Sequence, residues 1–297
     1  MLRLRAPAKL NLYLRVLGKR PDGYHELETL FERIDLADEL TFEAHPHEVQ
    51  LTCSDPTLSC GEDNLVLKAA RALQRQSGTQ HGARIQLTKR IPIAAGLGGG
   101  SSDAATTLLG LNGLWRLHLK HATLAELAAT LGSDVPFFLS NASYAVGRGR
   151  GERCEALPQI ARLSHILVVP NATLSTKDVY GGADFSLTAS KPSITIALHA
   201  LRNGPALAGL AEGLWNDLEP EAIRRCPVIA RIQSALRESG CIGVRMSGSG
   251  PSVFGLCRDA LHASEIASKI RAASPSSWRI DIIQTDQPST RMHTVPS

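Results

Sequence analysis

Ile93-Ala94-Ala95-Gly96-Leu97-Gly98-Gly99-Gly100-Ser101-Ser102-Asp103 decides how this 297-residue chain reads. Upstream, Ala83, Ile85 and Leu87 alternate as the inward face of a strand over residues 83 to 88, which leads through Lys89-Arg90-Ile91-Pro92 into the run. Downstream, Ala104, Leu108, Leu111 and Trp115 mark one face of a helix. Four glycines in such a strand-to-helix junction let the backbone approach an anion closely and take positive φ where needed. The free N–H groups and positive dipole end of the helix favour phosphate there. An ordinary turn capped by Ser102 or Asp103 would need one polar residue and not four glycines. The hydroxyls of Ser101 and Ser102 are suited to donating to phosphate or ligating Mg²⁺. The run lacks the lysine of G-x-x-x-x-G-K-[ST], and its spacing misses G-x-G-x-x-G.

Outward from the loop, residues 2 to 16 alternate. Leu2, Leu4, Ala6, Ala8, Leu10, Leu12, Leu14 and Val16 face one way; Arg3, Arg5, Lys9, Asn11, Tyr13 and Arg15 face the other. This is the period of a half-buried strand, bent or bulged at Pro7. Pro21-Asp22-Gly23 forms a turn that delivers Tyr24 and His25. Helical spacing covers residues 64 to 76, and a capping-box pattern, Thr123 with Glu126, predicts a helix from Thr123 to a cap at Gly132. A turn-rich break at residues 147 to 152 precedes a second region beginning near residue 160. There the pattern predicts strands at 165 to 169, 242 to 247, 252 to 257 and 278 to 285, and helices at 193 to 202, 227 to 239 and 259 to 273, with Gly240 as a cap. Strands and helices without strict alternation indicate an α+β fold. No internal repeat is present, and the stretch after Pro288 reads as a disordered tail.

With 43% hydrophobic and 20% charged residues the composition is that of a globular chain with a real core. The formal charge of +4 suits phosphate-bearing substrates but is too small and too evenly spread to indicate nucleic acid. The six cysteines show no C-x-x-C spacing, so reduced thiols are expected. No apolar stretch reaches the roughly 18 residues of a membrane span, and the N-terminus lacks a signal-peptide core. A cytoplasmic location, with no membrane or nucleic-acid partner, is the expectation. His45-Pro46-His47 and His118 to His121 read as surface histidines rather than metal ligands, and no metal ligand is assigned.

Pro92 to Ala105 resembles the ATP loop of the GHMP kinase superfamily. Ala6-Pro7-Ala8-Lys9-Leu10-Asn11-Leu12 and residues 246 to 254, Met-Ser-Gly-Ser-Gly-Pro-Ser-Val-Phe, resemble two further segments of that family. Within it the chain is most similar to the 4-diphosphocytidyl-2-C-methyl-D-erythritol kinases of the non-mevalonate isoprenoid pathway. Their hallmarks stand here as Lys9 to Leu12, Arg20 to Leu27, Gly132-Ser133-Asp134-Val135-Pro136-Phe137-Phe138 and Asn216-Asp217-Leu218-Glu219-Pro220. These motifs recur in order through nearly the whole chain. The resemblance implies two domains, 1–158 ribosomal-protein-like and 159–288 ferredoxin-like, with the site in the cleft between them and a tail at 289–297. Monomer and homodimer both remain open.

The resemblance also implies roles. Lys9 and Asp134 become the catalytic pair, Asp134 taking the proton from the substrate hydroxyl and Lys9 keeping it ionised. Without that context, Lys9 is a solvated strand lysine and Asp134 a helix N-cap. Pro92, Ile93, Ala94, Ala95, Gly96, Leu97, Gly98, Gly99, Gly100, Ser101 and Ser102 would hold ATP with Mg²⁺, and Lys89, Asn64, Leu65 and Val66 its adenosine part. Asn11, Tyr24, His25, Thr176 and Tyr180 would bind the cytidine-linked substrate. Relatives usually carry phenylalanine at the position of Tyr180, and the ring face is kept. Ser133 stands where relatives often have alanine. Tyr24 and His25 also fit partly buried strand positions, Ser175 and Thr176 a helix N-cap, and Gly248-Ser249-Gly250 a tight hairpin. Two other readings remain at this point. One is another GHMP kinase, of homoserine or mevalonate type; the other is a non-catalytic relative that binds nucleotide or nucleic acid.

Overall fold

The first strand belongs to both halves of the molecule. The computed structural model describes residues 1–140, 142–158, 160, 162–185, 191–202 and 207–287. β1 (Leu2–Lys19) pairs antiparallel with β2 (His25–His45), and the turn between them places Gly23 at φ 86°. The expected irregularity at Pro7 is present as a register shift between Pro7 and Ala8, and two more follow at Asn11/Tyr13 and Val16/Gly18. Beyond Pro7 the simple alternation fails. Lys9, Asn11 and Tyr13, read as the polar face, are each 3% exposed or less.

β2 has no counterpart in the sequence reading, because its middle buries Glu32, Arg33 and Asp38 among apolar residues and so carries no clean period. β3 (Val49–Cys53) is connected through α1 (Leu65–Ser77) to β4 (Gly82–Thr88), its parallel neighbour. α2 (Gly99–Leu114) starts inside the glycine run and packs Ala104, Leu108 and Leu111 into the core. α3 (His121–Leu131) begins before Thr123, with Lys120 at its cap position, so the Thr123–Glu126 capping box is not formed. Lys120 is already extended, and the helical turn has started when Thr123 is reached. A short α4 (Val135–Leu139) follows. The break at 147 to 152 is the tip of a hairpin, β5 (Tyr144–Gly149) with β6 (Arg153–Leu157).

The remaining elements are β7 (Ser164–Val169), α5 (Thr176–Gly182), α6 (Ile194–Arg202), α7 (Leu207–Gly213), β8 (Trp215–Asn216), α8 (Glu219–Arg225), α9 (Val228–Glu238), β9 (Gly243–Met246), β10 (Val253–Cys257), α10 (Ala260–Ala273) and β11 (Arg279–Gln284). Among the described residues, the first sheet runs β3-β4-β2-β1-β8, with β5 paired to β2 and β6 to β5. The second runs β11-β7-β10-β9, all antiparallel. With α9 and α10 as its crossovers, this second sheet has the ferredoxin-like strand order. The fold is α+β with two sheets. The stretch from residue 288 onward, read as a tail, lies outside the described residues.

Three apolar clusters hold these layers together. One lies between the first sheet and α1 to α4, and another between the second sheet and α8 to α10. The middle cluster joins Ala8, Leu10, Leu12 and Tyr13 of β1 to Leu167, Phe254 and Leu256 of the second sheet. β1 is therefore buried on both faces, and the polar residues on it must find protein partners.

Candidate active site

The glycine run closes over the middle of β1. Lys9 N–H donates to the Leu97 carbonyl at 3.0 Å, fixing the loop to the strand. Gly96 and Gly98 take φ 76° and 70°, in the left-handed region that glycine adopts without cost. Space matters as well: a Cβ on Gly96 would lie 2.2 Å from the Ser247 carbonyl oxygen, and one on Gly98 3.0 Å from Lys9 Cγ. α2 starts with Gly98 at its cap position and no side-chain cap, which leaves its first N–H groups to an incoming acceptor.

The second glycine turn packs against the first. Ser247 Oγ donates to the Gly96 carbonyl at 3.1 Å and accepts from Asn11 N–H at 3.2 Å. Gly248 sits at φ 56°, and a Cβ there would come within 3.1 Å of Lys9 Nζ. Asn216 fastens this turn from below, donating to the carbonyls of Met246 and Gly248 at 2.8 Å each. Glu219 accepts from Met246 N–H at 2.8 Å and from Arg245 at 3.1 Å. The Asn216-to-Pro220 motif is thus a support for the loop. Its Asp217 accepts from Val16 N–H at 2.8 Å, from Trp215 Nε1 at 2.7 Å and from Lys191 at 2.9 Å.

Lys9 Nζ lies at the centre of the site. It donates to Asn11 Oδ1 and to the Gly96 carbonyl at 3.0 Å, and stands 3.5 Å from Asp134 Oδ2. Burial pushes its ammonium below the usual lysine range, and Asp134 pulls it part of the way back. Asp134 occupies the cap position of α4, yet its side chain makes no cap hydrogen bond. The carboxylate is turned to Lys9 instead, and its side chain keeps 29% exposure toward the cleft. Asn11 is held in turn by Thr29, whose Oγ1 accepts from Nδ2 at 2.8 Å and donates to the Tyr13 carbonyl.

On the far side of this pair stands an aromatic wall. His25 stacks on Tyr180 with ring centroids 5.2 Å apart and 28° between planes, and meets the edge of Phe185 at 5.3 Å. Burial lowers the His25 pKa, with Lys19 adding to the effect, so the neutral imidazole is favoured. Burial raises the Tyr180 phenol above its usual range, and Asp134 adds to that. Tyr24 is 53% exposed with the Arg150 guanidinium 4.7 Å above its ring. Thr176 Oγ1 hydrogen-bonds Ser249 Oγ at 2.8 Å, while Ser175 caps α5 by accepting from Asp178 N–H. The helix-cap reading therefore holds for Ser175, and Thr176 bridges to the second glycine turn.

One continuous cleft of about 1350 Å³ joins the two ends. Its lining includes Lys9, Asn11, Tyr24, His25, Asn64, Lys89, residues 92 to 101, Asp134, Thr176 and Tyr180. Three expected positions read differently. Ser102 is fully buried beneath the first turn of α2 and is absent from the lining, so its hydroxyl does not face a ligand. Asn64 uses its side chain to cap α1, accepting from Val66 N–H and donating to the Ser59 carbonyl. Lys89 borders the cleft but commits its ammonium to Asp38 and Asp103. Arg150 and Thr29 stand in no pattern that singles them out, whereas Ser247 and Ser249 lie in the segment 246 to 254 that the resemblance marks. Among the described residues no group of three or more His, Cys, Asp or Glu side chains could hold a metal ion. No helix there is long and apolar enough to cross a membrane.

Comparison with known proteins agrees with this geometry. The description "GHMP kinases N terminal domain" matches residues 64–142, and "GHMP kinases C terminal" matches residues 194–276. A 4-diphosphocytidyl-2-C-methyl-D-erythritol kinase from Pelotomaculum thermopropionicum is 44% identical over 90% of this chain and 92% of its own. A kinase of the same name from Geobacter metallireducens is 43% identical over 92% and 95%. A crystal structure of a 4-(cytidine 5'-diphospho)-2C-methyl-D-erythritol kinase superposes with a TM-score of 0.78 at 38% identity, covering 95% of this chain and 99% of that one. A homoserine kinase from Cytophaga hutchinsonii shares the fold at 19% identity and a TM-score of 0.71 over 96% and 94%. The chain belongs to the GHMP kinases and carries both the N-terminal and the C-terminal domain of that family.

Proposed function

We propose that this protein transfers the γ-phosphoryl group of ATP to the 2-hydroxyl of 4-diphosphocytidyl-2-C-methyl-D-erythritol, with residues 1–158 and 159–288 as its two domains. The observation that carries the reading is the Lys9–Asp134 pair at 3.5 Å, placed in one cleft between the glycine loop and the His25–Tyr180 stack. The loop end supplies unpaired N–H groups and a helix dipole for a triphosphate. The aromatic end supplies flat surfaces and a neutral imidazole able to hydrogen-bond a pyrimidine edge. A homoserine or mevalonate acceptor has no ring for that wall to hold.

Phosphoryl transfer asks a protein chiefly to position the two substrates and to offset charge. Asp134 is free of cap duty, so it is available to take the proton of the attacking hydroxyl. Lys9, held by Asn11 and Gly96, directs its positive charge to the place where negative charge develops on the transferring group. Magnesium would enter with the nucleotide, since it keeps phosphates and waters as ligands and takes few from protein. The Ser101 hydroxyl, a hard oxygen donor on the loop wall, fits it. The ion would supply neutralisation of phosphate charge.

Incubation with ATP, Mg²⁺ and the diphosphocytidyl substrate should give ADP and the phosphorylated product in equal amounts. Absence of turnover with that substrate, alongside turnover of homoserine or mevalonate, would overturn the assignment.

A further inference from the structure

Beneath the glycine loop lies a buried cluster of three charges. Lys89 Nζ contacts Asp38, and it donates to Asp103 Oδ2 at 2.9 Å. Its side chain is 6% exposed, and those of Asp38 and Asp103 are 0% and 2% exposed. Asp38 stands on β2, and its Oδ1 accepts from the N–H groups of both Arg90 and Ile91, the residues that enter the glycine loop. Asp103 stands in the opening turns of α2, the element that leaves the loop. A single central-sheet carboxylate thus holds the entry of the loop directly and its exit through Lys89.

The loop has few other holds at that end. α2 lacks a side-chain cap, and its first turn contains no acidic residue. Its opening N–H groups must stay available for an anion, so the anchoring has to come from further along the helix and from below. The cluster supplies that anchor while leaving the amides free. Lys89 Nζ is also close under the loop floor, 3.3 Å from where a Cβ on Gly99 would lie.

Resting on the kinase reading above, we infer that Asp38, Lys89 and Asp103 are positioning residues that set the glycine loop in its ATP-binding shape. They act through the loop and leave the aromatic end of the cleft untouched. Burial also raises the Asp103 carboxyl to about 7, with Lys89 drawing it down and Asp38 pushing it up.

Asp103→Ala severs the exit tie and leaves Lys89 paired with Asp38; Asp103→Asn keeps a weaker, uncharged acceptor. The measurements are KM for ATP, KM for the cytidine substrate, and ADP and CDP affinities by titration, with melting temperature as the fold control. The expectation is a KM for ATP raised roughly tenfold in Asp103→Ala and about threefold in Asp103→Asn. ADP affinity falls in parallel, while CDP affinity and KM for the cytidine substrate stay as in the wild type. A lower melting temperature or kcat with an unchanged KM for ATP would overturn the inference, as would equal losses for both substrates. Should Asp103→Ala fail to fold, Asp103→Asn decides alone, and a KM for ATP within error of the wild type defeats the proposal. Failure of the kinase reading shows separately, as wild-type protein that does not turn over the cytidine substrate.

Discussion

At the residue scale, the site turns on whether a charged side chain is committed to structure or left for chemistry. Lys89 and Asp134 illustrate the two cases. Lys89 borders the cleft, yet two buried carboxylates hold its ammonium. Asp134 stands where a helix cap is expected, yet its carboxylate is unengaged by backbone N–H groups and faces Lys9. Asp134→Asn should therefore fold with a melting temperature near that of the wild type and lose phosphoryl transfer by about 10²–10⁴-fold, the worth of a general base. Single-turnover kinetics would check it, and a loss below tenfold would remove Asp134 from the role. Asp103 gives a pH prediction. Its folded pKa is raised to about 7 from 3.8, so its contribution to stability is full below about pH 3.8 and is lost as pH rises through about 7. Denaturant titrations should show stability declining across that window in the wild type, with the decline removed in Asp103→Asn. At the aromatic end, Tyr180→Leu should raise KM for the cytidine substrate severalfold through loss of the ring stacked on His25, with KM for ATP unchanged. Parallel changes in both constants would indicate packing instead.

At the element scale, the two glycine turns and β1 form a unit in which backbone meets backbone. Gly96→Ala places a methyl carbon 2.2 Å from the Ser247 carbonyl oxygen and on a left-handed residue, so neither neighbour can relieve it cheaply. The variant should lose most ATP affinity, measured by ADP titration, and retention of wild-type affinity would contradict the close packing of the two turns. This scale also shows what the sequence makes legible. The glycine run, the bulge at Pro7 and the strand-helix pattern from residue 227 onward rest on local signals: turn residues, period and spacing. β2 does not, because Glu32, Arg33 and Asp38 are satisfied by partners far away in the chain, and a local pattern cannot reveal them. For the same reason the period of β1 alone does not reveal that Lys9, Asn11 and Tyr13 are buried. Lys9 and Asn11 line a cleft completed by residues distant in the chain, among them Asp134, Thr176, Tyr180 and the 248–249 turn. Arg150 lies in a turn whose sequence signals only the turn, so its place over Tyr24 was not legible.

At the scale of the whole molecule, a buried polar network ties the two sheets together. Glu32 of β2 hydrogen-bonds His165 of β7 at 2.9 Å and accepts from Thr285 at 2.6 Å, and Thr285 also accepts from Leu163 N–H at 2.7 Å. Thr285→Val keeps the shape and removes the shared hydroxyl, leaving buried groups without a partner. The expected loss is about 1–3 kcal/mol of unfolding free energy, read from chemical denaturation, with both KM values unaffected in the folded enzyme. The network joins one sheet to the other, and the cleft between the glycine loop and the aromatic wall is continuous. The central claim is that this cleft joins ATP to a cytidine-linked alcohol, and the most direct measurement is ADP release by the wild-type protein with each acceptor in turn. ADP release matched by phosphorylated product is expected with 4-diphosphocytidyl-2-C-methyl-D-erythritol, and none above background with homoserine or mevalonate. Turnover of either small acceptor without turnover of the cytidine-linked one would contradict it.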